Sequence, residues 1–416
     1  MSDVRILPHA PRGKLAAPPS KSAAHRALIC AALSAMPCRV FPVAASSDMR
    51  ATLRVLRAMG VNWTQEENTV VFEGASWQAR EPFDCLESGS TLRFLLPVAA
   101  ALGLPAAFTG GGRLPERPLG ALMEQMRAHG VAFSDGRLPF SISGRLAAGR
   151  YTLPGDISSQ FISGLLFALP LVEGDSEIVL TSPLQSAGYV DMTLEALAQS
   201  GIRVSRTESG WQVPGGQAYR SGERTVEADW SNAAFWLCAG AAGGDVRLTG
   251  LRDGSAQGDR AVFDLIGQFG AQISRDANVT RCAHAPLHGI RIDAGPIPDL
   301  VPILAVTAAF AQGDTEIYNA GRLRIKESDR LSTVAALLRD LGGSVDEYPD
   351  RLTIHGGGLR GGTADGANDH RVVMSAAIAG MFCREPVLIR GAEAVHKSYP
   401  DFFEDFKKLG GLCDVI

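Results

Sequence analysis

The chain repeats itself six times, and that repetition limits the folds open to it more than any other feature. Six amphipathic stretches each end in a glycine and run straight into strand-like sequence: LRVLRAMGV, LMEQMRAHGV, LEALAQSGI, DLIGQFGA, ALLRDLGG and DFKKLGG. Their glycines, Gly60, Gly130, Gly201, Gly270, Gly342 and Gly410, follow one another at intervals of 68 to 72 residues. A helix closed by glycine at C′ is common in α/β proteins, because only glycine takes the left-handed conformation there without a Cβ clash. Five near-equal intervals are uncommon, and they identify a structural repeat.

A second series lies between the first. Apolar, Ala- and Leu-rich helices are expected to begin near Ser20, Gly89, Ser159, Ser231, Asp299 and His370. Apolar on every side, they belong inside, with the amphipathic helices flanking them. TVVFEG, SEIVLTS, DVRLTG, GIRIDAG, DRLTIHG and PVLIRGA have the β-branched, alternating character of strands. Each repeat therefore holds two helices and three or four strands, which makes the chain α/β. Its 416 residues exceed one core, and six repeats divide naturally into two domains of three. The seam is expected at the polar stretch Tyr219 to Val226, as a short hinge.

Composition excludes several classes of function. A hydrophobic content of 46% with 20% charged residues is that of a globular protein. The net charge of -4 argues against a sequence-blind nucleic-acid binder, which needs a basic face to displace counterions from phosphates. Seven cysteines are scattered without a C-x-x-C, a pattern of reduced thiols rather than disulfides or zinc ligands. The opening MSDVRILPHAPRGK has no apolar signal core, and stretches such as Leu300 to Ala311 fall short of the roughly 20 residues of a membrane span. The expectation is a cytoplasmic monomer with neither membrane nor nucleic acid as partner. HAPLH, with His284 and His288, has Pro286 between its histidines and no carboxylate cluster beside it, so no metal is expected.

The chemistry-bearing residues gather at helix starts, where free N–H groups and the helix dipole attract anions. PPSKSAAHRAL supplies Lys21, Ser22 and Arg26; ESGSTLRF supplies Gly89 and Arg93; GGGRLPERPLG supplies Arg113 and Arg117. GRLRIKESDRL adds Arg322, Arg324, Lys326 and Arg330, NDHR adds His370 and Arg371, and VHKSYPDFF adds His396 and Lys397. One such site is equally well a Ser-capped helix with solvated basic residues. Their recurrence points to small phosphorylated anions.

SKSAAHRAL, GGGRLPERPLG, SSQF, IPDL, RIKESDRL, NDHR and HKSYPDFF, in this order and over nearly the full length, resemble the 5-enolpyruvylshikimate-3-phosphate synthase family. The resemblance implies transfer of the enolpyruvyl group of phosphoenolpyruvate to the 5-hydroxyl of shikimate 3-phosphate, with release of phosphate and no cofactor. It implies two domains of three βαβαββ units each, the inside-out α/β barrel of the enolpyruvyl transferases, closing on substrate. Residues 16–225 would form the domain that mainly binds shikimate 3-phosphate, and residues 1–15 with 226–416 the domain that completes the phosphoenolpyruvate site. Lys21, Ser22 and Arg26 then resemble contacts to both substrates, and Ser158, Ser159, Gln160 and Ser186 the cradle of the shikimate phosphate and ring, with Tyr189 at the ring's flank. Arg117, Arg330, Arg371 and Lys397 are similar to the phosphoenolpyruvate set, joined by Gly89, Arg322 and Lys326. Planar guanidinium forks suit carboxylate and phosphate bidentately.

The implied reaction needs an acid for the methylene carbon and a base for the attacking hydroxyl, and Asp299 and Glu327 are the matching carboxylates, with Lys21 and Lys397 as further catalytic candidates. The plainer alternatives are a helix cap for Asp299 and a surface ion pair with Lys326 or Arg330 for Glu327. One motif departs from the commoner pattern G-N-A-G-T-A-x-R: Glu87 stands where Asn is usual, an anion that needs pairing with a neighbouring arginine, while Gly89 and Arg93 are kept. Arg322 stands where other members often carry Asn or His. Glycine at 89 leaves room for the phosphonate inhibitor glyphosate, so sensitivity is expected. The sister enolpyruvyl transferase acting on UDP-N-acetylglucosamine carries a reactive cysteine in the loop that here reads TGGGRLPERP, which has none. A nonenzymatic phosphometabolite-binding protein of the same fold would have no need of Asp299 and Glu327.

Overall fold

The computed structural model describes residues 2–35 and 37–416. All six repeats take one form. Each sheet has four strands: the first is parallel to the second, and the fourth lies between the second and the third, antiparallel to both. Parallel neighbours cannot be joined by a tight turn, and in four of the six sheets the apolar helix is the crossover between strands one and two. The amphipathic helix leads into the closing hairpin. In the second repeat the order is Phe83–Asp84, helix Gly89–Ala101, Ala106–Thr109, helix Gly120–Ala128, Val131–Phe133 and Phe140–Gly144.

The chain divides into two compact units, Lys21–Val226 and Met1–Ser20 with Glu227–Ile416. In the first unit the opening strand of its first sheet is supplied last, by Gly222–Thr225 running parallel to Cys38–Phe41. The polar stretch expected to be a hinge is therefore built into the sheet, and its Tyr219 is buried with its hydroxyl donating to the Phe167 carbonyl at 2.7 Å. In the second unit Arg12–Ala16 pairs parallel with Asp245–Thr249, and Val4–Leu7 lies between Val387–Arg390 and Leu412–Val415. The N-terminal strands thus complete sheets of the C-terminal half.

The apolar helices form the core of each unit. All nine residues of Val301–Ala309 are buried, and Gly89–Ala101 is buried everywhere but Ser90. In the second unit, Trp230–Gly243, Val301–Ala309 and His370–Phe382 pack on one another. The flanking helices bury one face; on Ser47–Ala58 this is Met49, Ala51, Thr52, Leu53, Val55, Leu56 and Ala58. Gly60, Gly130, Gly201, Gly270, Gly342 and Gly410 all close their helices with φ between 74° and 104°, where a side chain is disfavoured.

Candidate active site

In the Lys21–Val226 unit the inner helices open on hydroxyls and cations. Ser88 Oγ accepts from the Thr91 amide at 3.2 Å and caps Gly89–Ala101, while Ser158 Oγ accepts from the Gln160 amide at 3.3 Å and caps Ser159–Ala168. Lys21 is the first residue of helix Lys21–Ala32, and its ammonium donates to Asp48 Oδ2 at 2.9 Å. Arg26, one turn further on, is buried; its Nε donates to Thr193 Oγ1 at 2.9 Å and its terminal nitrogens to the carbonyls of Ser22 and Tyr189, both at 2.6 Å. Burial lowers its pKa to about 10, still charged at neutral pH. Arg26 is first of all a brace between two helices, and Tyr189 takes part through its backbone. Ser186, at the N-cap of Ala187–Gln199, sits in the left-handed region at φ 56° without a capping side-chain bond. A serine held there stores strain of the kind that collects at functional sites.

Gly89 lies against two guanidinium groups. A Cβ added there would lie 2.5 Å from one terminal nitrogen of Arg93 and 2.8 Å from one of Arg117. Arg93 in turn donates to Gln160 Oε1 at 3.1 Å, and Gln160 Nε2 to Ser90 Oγ at 2.9 Å, so Gly89, Arg93, Arg117 and Gln160 form one group. Glu87 lies over Gly112 of the TGGGRLPERP loop, packed against the backbone. A buried chain below them, His25 Nδ1 to Thr52 Oγ1, Thr52 Oγ1 to Thr91 Oγ1 and Thr91 Oγ1 to Ser88 Oγ, each 2.8 Å, ties the first inner helix to the Ser88 cap. Burial, then the charges of Lys21 and Arg26, hold the His25 ring neutral.

In the other unit one buried arginine organises the site. Arg330 is 1% exposed, and it opens helix Arg330–Asp340. Its Nε donates to Asp369 Oδ2 and one terminal nitrogen to Asp299 Oδ1, both at 2.8 Å, while the other lies 2.8 Å from Glu327 Oε2. Burial opposes its charge, but Asp369, Glu327 and Asp299 together outweigh that and raise its pKa well above the usual value. Asp299 also receives Arg371 at 3.1 Å and faces Lys326 at 3.6 Å. Lys326 is desolvated, which pulls its pKa down to about 8 although Asp299 and Glu327 favour its charge. Lys397 donates to the Asn368 carbonyl at 2.7 Å, beside the start of helix His370–Phe382. Ala367 and Asn368 are left-handed in succession, at φ 50° and 51°, just ahead of that helix.

Asp299 does not cap its helix: Leu300 holds that position, and the Asp299 carboxylate faces cations instead. Glu327 does pair with Arg330, but in a buried cluster rather than on the surface. Arg324, an anion-binding candidate by its position, is held by Asp329, the N-cap of Arg330–Asp340, at 2.9 Å and by Glu347 at 3.2 Å. Several carboxylates here had no place among the expected site residues: Asp48 beside Lys21, Asp369 on Arg330, and Asp229 capping Trp230–Gly243. The repeat held a signal for two of them, since Asp229, Asp299 and Asp369 recur at intervals of 70. His284 bonds through Nδ1 with the Ala241 carbonyl at 2.9 Å, and no group of three or more His, Cys, Asp or Glu is placed to hold a metal among the described residues.

A chain of six such repeats, whose inner helices start on cations, hydroxyls and buried carboxylates, has the build of an enolpyruvyl transferase. The family model described as EPSP synthase (3-phosphoshikimate 1-carboxyvinyltransferase) matches residues 8–406. The 3-phosphoshikimate 1-carboxyvinyltransferase of Clostridium kluyveri is 42% identical over 420 residues, covering 100% of this chain and 99% of its own. The EPSP synthase of Acinetobacter baumannii has a solved structure that superposes with a TM-score of 0.85 at 27% identity, over 100% of both chains. The enolpyruvyl transferase NikO of Streptomyces tendae shares the fold, with a TM-score of 0.81 at 19% identity over 100% of this chain and 99% of that one. The chain belongs to the EPSP synthase family.

Proposed function

We propose that the chain transfers the enolpyruvyl group of phosphoenolpyruvate to the 5-hydroxyl of shikimate 3-phosphate by addition and elimination through a tetrahedral intermediate. The 5-oxygen bonds to the central carbon of phosphoenolpyruvate while the methylene carbon gains a proton. Phosphate then leaves as that methyl group gives a proton back and the vinyl group re-forms. The observation that carries this reading is the Arg330 cluster: two carboxylates, Asp299 and Glu327, share one buried guanidinium within reach of Lys326 and Arg371. Binding alone has no use for carboxylates beside an anion, whereas proton transfer in both directions needs them. In this reading Asp299 takes the hydroxyl proton and Glu327 serves the methylene carbon, with Lys21 and Lys397 as further catalytic groups. Arg322, Lys326, Arg330 and Arg371 in one unit, and Gly89 and Arg117 in the other, are the groups assigned to phosphoenolpyruvate. Ser22, Arg26, Ser158, Ser159, Gln160, Ser186 and Tyr189 hold shikimate 3-phosphate.

No helix of the described residues is long and apolar enough to cross a membrane, and the cysteines are free, six of them buried and Cys413 partly so. The proposed setting is the cytoplasm, as a monomer. The deciding experiment is phosphate release from phosphoenolpyruvate with shikimate 3-phosphate or UDP-N-acetylglucosamine as acceptor. Release with the first alone is expected, and release with the second alone points to the sister enzyme. Binding of both phosphorylated compounds with no release at all would leave a nonenzymatic binder.

Two further outcomes follow from single residues. Gly89→Ala drives a methyl group into Arg93 and Arg117. The KM for phosphoenolpyruvate is expected to rise about tenfold or more, with glyphosate, which inhibits the parent, losing potency in step. Parent turnover that persists at millimolar glyphosate would refute the sensitivity. Lys326 carries its charge only below about pH 8. The KM is therefore expected to climb severalfold as pH rises through that value, and Lys326→Arg, whose guanidinium does not deprotonate, is expected to flatten the climb.

A further inference from the structure

The third and fifth repeats each tie the loop that leads into the inner helix to the loop that leads towards the flanking helix. In the third repeat, strand Arg150–Leu153 runs into helix Ser159–Ala168, and strand Ser176–Leu180 into helix Ala187–Gln199. Ser182 Oγ donates to Asp156 Oδ1 at 2.7 Å and accepts from the Gly155 amide at 2.9 Å, and the Gln185 amide donates to the Gly155 carbonyl at 3.0 Å. In the fifth repeat, strand Arg291–Asp293 runs towards helix Val301–Ala309, and strand Asp314–Tyr318 towards helix Arg330–Asp340. Asp293 Oδ1 accepts from the Asn319 side-chain amide and from the Gly295 backbone amide, both at 2.9 Å. In both repeats an aspartate at or shortly past the end of strand one accepts from a side chain shortly past the end of strand two, 26 residues on. The loops meet at a glycine each time: a Cβ added to Gly155 would lie 2.6 Å from the Ser182 carbonyl oxygen, and one added to Gly295 2.3 Å from Asn319 Nδ2.

The tied loops lead directly to the groups assigned to substrate. In the third repeat Ser158, Ser159 and Gln160 follow Asp156, and Ser186 follows Ser182. In the fifth, Asp299 follows Asp293, and Arg322, Lys326 and Glu327 follow Asn319. Groups on two loops that must meet one ligand lose affinity and rate when the loops are free to part. We propose that Asp156–Ser182 and Asp293–Asn319 are positioning pairs, each serving a different substrate. The first holds the two sides of the shikimate 3-phosphate cradle at their spacing. The second holds the loop of the base Asp299 against the loop of the phosphoenolpyruvate cations Arg322 and Lys326. This rests on the assignment of those groups to the two substrates. What each pair needs is the oxygen acceptor of its aspartate, not the charge.

The test is the split between the two Michaelis constants, measured by phosphate release from the full chain. Asp156→Ala is expected to raise the KM for shikimate 3-phosphate about three- to tenfold, the worth of one net hydrogen bond, and to leave that for phosphoenolpyruvate within about twofold. Asp293→Ala is expected to do the reverse by a similar factor, and to lower kcat as well because Asp299 lies on the loosened loop. Asp156→Asn and Asp293→Asn keep an oxygen that accepts the same bonds, so both are expected to stay within about twofold of the parent. Alanine variants that shift both constants alike overturn the proposal, since a general loosening of the fold does that. So do alanine variants that leave their own substrate's KM unmoved, and asparagine variants that fail as the alanine ones do. If an alanine variant does not fold, Ser182→Ala or Asn319→Gly removes the other partner, glycine taking the φ of 55° at that position freely, and the same split is required. Should the parent release no phosphate, the activity reading has failed instead, and calorimetry with shikimate 3-phosphate decides about the first pair. Binding by the parent that weakens about three- to tenfold in Asp156→Ala upholds it, and equal binding, or none by the parent, overturns it.

Discussion

Arg330→Met is expected to lower the folding stability of the C-terminal unit by about 3–5 kcal/mol and to abolish phosphate release. The size of the effect comes from what stays behind. Arg330 is 1% exposed and touches Asp299, Asp369 and Glu327, each at 2.8 Å. Methionine fills most of the volume, so little is lost to a cavity, but three carboxylates are left facing one another in a poorly solvated space. Asp369, with 0% of its side chain exposed, cannot turn to water. Its pKa is held below the usual carboxylate value despite burial, first by Arg330, so losing the guanidinium releases that carboxyl to take up a proton. The stability lost to the substitution should therefore be largest at neutral pH and shrink as the medium is acidified through the ordinary carboxylate range. Urea denaturation at two pH values measures both parts. Arg330→Lys keeps the charge without the three-way fork, and a smaller loss of stability with a still severe loss of turnover is expected. Full stability in Arg330→Met at neutral pH would show that the carboxylates find water or cations elsewhere.

The six-repeat plan was legible because its two markers are local. A C′ glycine and an all-apolar helix are imposed by backbone geometry and by burial within a few residues of themselves, so they survive in the sequence at a fixed period. The edge strands are not local. Gly222–Thr225 is polar and only four residues long, and nothing nearby shows that its partner is Cys38–Phe41. In the site the cations stood out by position, yet position alone does not separate Arg324, neutralised by Asp329 and Glu347, from Arg330, which gathers the candidate catalytic acids. The two lie six residues apart in one motif, and only the fold says which faces inward. Asp229 and Asp369 were hidden for another reason: an aspartate ahead of an apolar helix is the commonest of caps, and both do cap their helices. Asp369 holds Arg330 at the same time, a double use that no pattern of residue types reveals.

Asp299→Asn is expected to lower kcat on the order of a hundred- to ten-thousandfold while the KM for phosphoenolpyruvate stays level or falls. The two parameters should separate because Asp299 acts on them in opposite ways. As the base it accepts the hydroxyl proton in the transition state, and an amide cannot. As an anion it sits 2.8 Å from Arg330, 3.1 Å from Arg371 and 3.6 Å from Lys326, the groups assigned to hold a second anion, and so it opposes ground-state binding. Asparagine keeps the shape and one oxygen acceptor, so the cluster should survive and thermal unfolding should change far less than in Arg330→Met. Glu327→Gln provides the contrast. Its carboxylate lies 2.8 Å from Arg330, and its loss should slow the step at the methylene carbon with less relief of binding. Measured by phosphate release under saturating and limiting phosphoenolpyruvate, a fall in kcat below tenfold for Asp299→Asn removes it as the base. An equal rise in KM would instead make it a residue that holds the arginines in place.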